Sequence, residues 1–209
     1  MIDYLKDPAE IYRRSFATVR SESDLVRIPA DLEPVAVRLV HACGMPEIAA
    51  DLAWQGDVVD AAQSALSAGR PVLVDATMVG AGIIRTRLPA DNAVICRLDA
   101  SGLAERASAA HTTRSAAAVD LWDADLAGAV VAIGNAPTAL FRLLERLQAG
   151  APRPAAILGF PVGFVGAAES KEALIASGLG VPYLTLRGRI GGSALAAAAV
   201  NAVAMAESS

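Results

Sequence analysis

Histidine and cysteine are scarce in this 209-residue chain. It contains two histidines and two cysteines, Cys43 and Cys96, and it has no CxxC pair. These counts exclude zinc ribbons, disulfide scaffolds and most histidine-based metal centres, so we expect no metal site. Cys43 lies on the apolar face of a predicted helix, and both cysteines are expected in the core rather than in catalysis.

Runs of basic residues, aromatic side chains and long apolar segments are also missing. The net charge is −4 and aromatics make up 4% of the chain, so nucleic acid is not an expected partner. The longest uncharged stretches, 126–141 and 190–206, are shorter than the ~20 strongly apolar residues of a membrane span. The first ten residues lack the apolar core of a signal peptide, and we expect a cytoplasmic protein.

Alanine, valine and leucine are abundant instead. Hydrophobic residues account for 54% of the chain and charged residues for 19%, which excludes a disordered chain. An apolar surplus of this size predicts a large buried core and a sizeable subunit interface.

Short β-branched runs alternate with helical patterns along the chain. The apolar runs predict five strands: Pro71–Val74, Val94–Leu98, Ala129–Ile133, Ala155–Leu158 and Pro182–Leu186. Leucines 140, 143, 144 and 147 predict a helix that ends at Gly150; further helices are expected after Ser115, at Ser193–Met205 and over most of the first seventy residues. The pattern predicts one α/β domain over residues 1–209, with a mainly parallel central sheet flanked by helices in a Rossmann-like three-layer arrangement.

Ligands of such sheets bind at the carboxyl ends of the strands. Four unusual segments follow predicted strands there: 75–79, which contains Met78; 134–138, which contains Asn135; 159–166; and 187–193. We expect them to form a binding face.

Two segments combine arginine with free backbone N–H groups. An alanine-rich helix begins with Thr113, Arg114 and Ser115. They form either a simple helix cap or a binding site for a carboxylate or phosphate. The 187–193 segment contains Arg187, Arg189, Gly192 and Ser193, and it is either a plain turn or a second such site, with Ser193 capping the next helix. Together the two segments predict a ligand with several acidic groups.

His41 and Arg38 lie away from the apolar stripe of the helix that ends before Gly44. They are either part of a solvated polar face or a proton donor with a neighbouring cation. The carboxyl end of a helix favours a charged imidazole, whereas Arg38 opposes it by repulsion. His111, the other histidine, is expected at the surface.

Nucleotide and hydrolase motifs are absent. The chain has no GxGxxG, no GxxxxGK[ST] and no GxSxG, and glycines 159, 163 and 166 have the wrong spacing for phosphate binding.

Six blocks in one order resemble the precorrin-8X methylmutase (precorrin isomerase) family. They are IYRRSF at 11–16, RLVHACG at 38–44, TRSAA at 113–117, AIGNAPTA at 132–139, PVGFVGAAESK at 161–171 and RGRIGGS at 187–193. The resemblance implies an isomerase of cobalamin biosynthesis that moves a methyl group from C11 to C12 of a reduced tetrapyrrole, giving hydrogenobyrinic acid. It also implies a homodimer with the substrate pocket near the interface.

The resemblance also assigns residue roles. His41 matches the catalytic histidine, which protonates a ring nitrogen and promotes a 1,5-sigmatropic shift; Ser15, Arg38 and Arg114 match substrate-contacting residues. Met78 is expected to line an apolar slot, and Arg14, Arg187 and Arg189 to meet substrate carboxylates. A methyl shift within one molecule requires no cofactor.

Three questions stay open at this point. A tetrapyrrole-binding carrier without activity is one alternative, and a nucleotide-binding Rossmann-like enzyme is another. The family serves both the metal-free and the cobalt-containing substrate, and the role of His111 is not assigned.

Overall fold

The computed structural model describes residues 2 and 4–205. Its helices are α1 (Pro8–Glu22), α2 (Glu33–Cys43), α3 (Ile48–Asp51), α4 (Val58–Ser67), α5 (Thr77–Gly82), α6 (Leu103–Ala109), α7 (Arg114–Val119), α8 (Asp123–Leu126), α9 (Pro137–Gln148), α10 (Ala167–Ala176) and α11 (Ser193–Val203), with one 3₁₀ turn at Arg85–Arg87. The strands are β1 (Leu52–Gln55), β2 (Val72–Val74), β3 (Val94–Cys96), β4 (Val130–Ile133), β5 (Ala156–Gly159) and β6 (Tyr183–Leu186).

The six strands form one sheet in the order β1-β6-β5-β4-β2-β3. The pairs from β6 across to β3 are parallel, and only β1 is antiparallel, to β6. The predicted α/β class and all five predicted strands are confirmed. The first seventy residues are mainly helical, as predicted, and contain α1 to α4. They also contain one strand that was not predicted, β1, at the edge of the sheet.

Both faces of the sheet are covered, which confirms the three-layer arrangement. Alternate strand residues point to opposite sides. Val72, Val74 and Leu158 belong to the core beneath α2, α4, α5 and α11. Leu73 and Ile157 belong to the core beneath α7, α8 and α9.

The leucine helix and the alanine-rich C-terminal helix form where predicted. Helix α9 buries its four leucines and begins at Pro137, whose missing N–H is no loss in a first turn. Helix α11 begins at Ser193, but the expected Ser193 cap is wrong: Gly192 occupies the cap position and no side chain caps the helix. Gly192 has a φ of 126°, which a residue with a Cβ rarely adopts, so no capping serine can replace it there.

Cys43 and Cys96 are free thiols that pack against the core, and burial raises the pKa of both. In the described part of the chain, no group of three or more His, Cys, Asp or Glu residues could hold a metal ion. No helix among residues 2 and 4–205 is long and apolar enough to span a membrane.

Candidate functional site

His41 lies in the last turn of α2, where the helix exposes its polar face. Val40 and Leu39 beside it are buried in the core, whereas the His41 side chain is exposed. The helix ends at Gly44, which adopts a left-handed conformation (φ 70°) and donates its N–H to the Val40 carbonyl. His41 therefore lies one turn or less from the end of α2.

Helix α1 supplies the immediate neighbours of the imidazole. The Ser15 hydroxyl lies 2.9 Å from His41 Nδ1, within hydrogen-bond distance. The rings of Phe16 and Tyr12 lie 5.1 and 5.8 Å from the imidazole centroid. Nδ1 thus has a partner, while Nε2 has none among the described residues.

Two clefts flank His41. One, of about 280 Å³, is lined by Ser15, Thr18 and Glu22 among others. The second, of about 130 Å³, is lined by Arg38 and Arg87. One cleft therefore contains an acidic side chain and the other contains two basic ones.

Arg38 and Arg14 differ in their partners. The Arg38 guanidinium lies over the Phe16 ring, 5.4 Å from its centroid. Arg14 instead pairs with Glu10 at 2.6 Å, and Arg13 pairs with the same carboxylate. Hydrogen bonds from Arg13 and Arg14 lower the pKa of Glu10 to about 2. Arg14 therefore already has an anionic partner within its own helix, which it shares with Arg13.

The carboxyl ends of β2, β4, β5 and β6, with the loops that follow them, form the carboxyl edge of the sheet. Asp75, directly after β2, is 1% exposed and organises the loop after β4. Its carboxylate accepts N–H groups from Gly134 (2.8 Å), Asn135 (2.9 Å) and Ala136 (2.7 Å). Burial raises the pKa of Asp75, and the three N–H bonds oppose that rise.

The Thr113–Ser115 segment adjoins this loop. The Thr113 hydroxyl accepts the Ala116 N–H, which confirms the predicted cap, and lies 2.8 Å from the Thr138 hydroxyl. Arg114 is exposed and donates to the Leu98 carbonyl, and Ser115 is half-buried.

The 187–193 loop is bonded to the 160–166 loop. Gly192 donates its N–H to the Phe160 carbonyl at 2.8 Å. A Cβ at Gly191 would lie 2.4 Å from the carbonyl oxygens of Phe160 and Pro161, so only glycine allows this approach. Lys171 of α10 is fully buried, and its amine donates to the Ile190 carbonyl at 2.6 Å.

Both arginines of this loop have partners in the chain. Arg187 pairs with Glu172 at 2.6 Å, and the Arg189 guanidinium lies 5.7 Å from the centroid of the exposed Phe164 ring. A carboxylate ligand at Arg187 would have to compete with Glu172.

The predicted residues thus form two groups. Ser15, Arg38 and His41 cluster between α1 and α2, and Arg14 lies on the same segment of α1. The carboxyl edge carries the remaining residues: Met78 and Asn135, both exposed, with Thr113, Arg114, Ser115, Arg187, Arg189, Gly192 and Ser193. Ser193 approaches the loop after β4, since a Cβ at Gly134 would lie 2.8 Å from the Ser193 Cα. No hydrogen bond, ion pair or ring contact among the described residues joins the two groups.

Sequence reasoning missed three residues of these regions as individuals: Asp75, Arg87 and Lys171. Asp75 was visible only as part of a loop after a strand, and its N–H partners lie about sixty residues further along the chain. A lone lysine or arginine carries no motif. The burial of such a residue, or the residues around it, would indicate its role. Both depend on the tertiary structure and cannot be seen in the sequence.

Comparison with known proteins shows the family to which this chain belongs. The family model for precorrin-8X methylmutase matches residues 10–206. The precorrin-8X methylmutase of Pseudomonas aeruginosa is 58% identical over 98% of both chains. The chain belongs to the precorrin-8X methylmutase family. It is therefore an isomerase of cobalamin biosynthesis, and the resemblance seen in the sequence is confirmed.

Other precorrin-8X methylmutases agree with this assignment. The enzyme of a Sinorhizobium species is 55% identical, over 97% of this chain and 96% of its own. The cobalt-precorrin-8 methylmutase of Salmonella typhimurium is 36% identical over 96% of both chains. A crystal structure of the precorrin-8X methylmutase from Thermus thermophilus superposes with a TM-score of 0.85 at 38% identity, covering 94% of both chains.

Proposed function

We propose that this methylmutase moves a methyl group from C11 to C12 of precorrin-8X, giving hydrogenobyrinic acid, with His41 as the proton donor. The observation that carries this proposal is the pairing of Ser15 with His41 Nδ1 at 2.9 Å on an exposed surface between two clefts. A hydroxyl on one ring nitrogen orients the imidazole and leaves the other nitrogen for a ligand.

The proton and the methyl group move without net gain or loss of atoms. In the charged ring, Nδ1–H donates to Ser15 and Nε2–H is directed to a ring nitrogen of the substrate. Protonation of that nitrogen draws electron density from the macrocycle, and the methyl group leaves C11 as its bond to C12 forms. The proton then returns to His41. Because the methyl group stays in the molecule and no net oxidation occurs, the reaction as written consumes no hydride carrier.

Groups with the right chemistry for a tetrapyrrole line these regions. Exposed Met78 offers apolar surface for the macrocycle, and the exposed guanidiniums of Arg114 and Arg189 suit acetate and propionate arms. The sequence identities favour the metal-free substrate. The two relatives named precorrin-8X methylmutase are 58% and 55% identical to this chain, whereas the Salmonella cobalt-precorrin-8 methylmutase is 36% identical.

The protein is proposed to act as a cytoplasmic homodimer with the site near the subunit interface. Sites for ligands of drug size occupy ~300–1,000 Å³, and the clefts beside His41, of about 280 and 130 Å³, are too small for a tetrapyrrole. Phe164 and Val165 are 86% and 89% exposed, which provides apolar surface for a second copy. Light scattering should give twice the 21.4 kDa chain mass; the mass of one chain would contradict the dimer.

The test of the reaction compares the two histidines. Purified protein is mixed with precorrin-8X, and the visible spectrum is followed for the change of chromophore. His41→Ala should lower kcat about 10²–10⁴-fold, the usual contribution of a general acid, while substrate still binds. His111→Ala, at an exposed histidine outside both clefts, should keep the full rate.

Each result separates one hypothesis from another. Full activity in His41→Ala would refute the proton-donor role but not the reaction. Stoichiometric binding of precorrin-8X by the unsubstituted protein, with no conversion, would favour the carrier. Thermal stabilisation by NAD or ATP would favour the nucleotide enzyme.

A further inference from the structure

Two arginines that line the smaller cleft beside His41 have no anionic partner within the described part of the chain. Arg38 and Arg87 are both half-buried. Among the described residues neither guanidinium has a carboxylate within 4.0 Å, whereas Arg14 and Arg187 do. Partly desolvating two like charges in one cleft is unfavourable unless an anion compensates them.

The segment that carries Arg87 is held in place by the fold. Asn201 of α11 accepts the Ile84 N–H at 2.8 Å and donates to the Gly82 carbonyl at 2.9 Å. These bonds fix the chain directly before the 3₁₀ turn Arg85–Arg87, so Arg87 starts from a defined backbone position. Ile84 and Ala198 add apolar walls to the cleft.

We propose that Arg38 and Arg87 together bind one carboxylate arm of the substrate in this cleft, beside His41. The inference rests on the proposed function and extends it by assigning Arg87, which lies outside the blocks that identify the family. A cleft of about 130 Å³ holds a carboxylate arm but not a macrocycle, so the ring lies outside it. Planar guanidiniums match the geometry of a carboxylate.

The opposite cleft makes the orientation of the substrate specific. It contains Glu22, which repels a carboxylate, and it contains no arginine. A polycarboxylate therefore enters with an acidic arm on the Arg38–Arg87 side of His41.

The test separates the effect of the ligand's charge from the effect of its shape. Hydrogenobyrinic acid and an analogue whose carboxylates are converted to amides are titrated against the protein by absorbance. Arg87→Gln should weaken binding of the acid about tenfold or more and change binding of the amide by less than about twofold, because only the acid supplies the ionic hydrogen bonds. Arg87→Lys keeps the charge but not the planar fork, and it should give an intermediate loss.

Arg70→Gln is the matched control. Arg70 lies two residues before β2, at the end of the sheet opposite the carboxyl edge. Its replacement by glutamine removes the same charge as Arg87→Gln. It should leave both affinities unchanged. Equal losses for acid and amide in Arg87→Gln, no loss for either, or no binding of either ligand by the unsubstituted protein would each overturn the Arg38–Arg87 site. Selective loss of the acid by a protein that binds it but does not convert precorrin-8X would support the site and refute the proposed reaction.

Discussion

The carboxylate of Asp75 accepts three consecutive peptide N–H groups that have no partner in a helix or strand. Gly134, Asn135 and Ala136 cross from β4 to α9, and their N–H groups point at one buried side chain. A buried N–H without an acceptor is costly, so the loop adopts the conformation that keeps all three bonds. Asp75 thereby positions Asn135 and the start of α9.

Asp75→Ala should lower the free energy of unfolding by about 3 kcal/mol or more, because each buried group left without a partner costs about 1–3 kcal/mol. Urea denaturation followed by circular dichroism measures the change. Asp60→Ala removes an exposed carboxylate from α4 and should stay within about 0.5 kcal/mol of the unsubstituted protein. A similar small effect at Asp75 would show that water replaces the carboxylate.

The candidate site was predictable from the sequence where local patterns place it. The 3.6-residue period of α2 is enough to separate His41 from the buried stripe, and a threonine before an alanine run is enough to predict the Thr113 cap. Asp75 and Arg87 depend on partners far along the chain: the N–H groups of 134–136 in one case and Asn201 in the other. No local pattern contains that information.

Helix α10 connects two loops of the carboxyl edge through a single amine. It follows the 160–166 loop directly, and its Lys171 donates to the Ile190 carbonyl of the 187–193 loop. Burial lowers the pKa of Lys171 to about 8, and the carboxylates of Asp51 and Glu172 partly oppose this. Glu172 also forms an ion pair with Arg187. The Lys171 amine and the 187–193 loop therefore interact with the same carboxylate.

Lys171 should make a contribution to the stability of the protein that increases with pH. Between pH 8 and 10.5 the unfolded chain holds a proton on this amine that the folded chain has released, so unfolding becomes less favourable as pH rises. At about 1.4 kcal/mol for each pKa unit, the gain is roughly 3–4 kcal/mol across this window. Below pH 8 the amine is charged in both states and contributes no slope.

Urea unfolding at pH 7, 8, 9 and 10 measures this slope. Lys171→Met should remove it, whereas Lys6→Met, at an exposed lysine, should retain it. The thiols, whose raised pKa gives the opposite slope, are the same in all three proteins, so the difference isolates Lys171. An unchanged slope in Lys171→Met would show that the amine stays charged when buried.

The helices and strands were predictable from the sequence where they are buried and their apolar residues form a regular pattern. Five strands have continuous apolar runs because parallel strands are covered on both faces. Strand β1 has the sequence Leu52-Ala53-Trp54-Gln55, follows a one-turn helix and contains no β-branched residue, so its sequence resembles the end of a helix. Pairing with β6, not local propensity, makes it a strand.

At the scale of the molecule, small side chains let α11 pack closely against its neighbours. It packs against α2, α5 and the sheet, and the residues that face these elements are small. A Cβ at Gly82 would lie 2.7 Å from the Ala197 Cβ, and one at Gly134 would lie 2.8 Å from the Ala196 Cβ. Backbones this close leave no room for larger side chains.

Ala199→Leu should therefore destabilise the protein by about 1–3 kcal/mol, because added methylene groups in a filled core force neighbouring groups apart. Ala199 is fully buried. Ala194→Leu, at an exposed position of the same helix, should change stability by less than about 0.5 kcal/mol. Thermal melts of the two variants distinguish the positions, and equal melting temperatures would show that α11 can shift to accept leucine.

The two edges of the sheet have a consequence for how the chain behaves at high concentration. One edge is β1, with four residues, and the other is β3, with three. An open edge offers unpaired peptide groups to a strand of another molecule, and long flat edges promote fibre-like association. Edges of three and four residues provide few such groups, so a chain rich in valine and leucine has little template on which aggregates can grow.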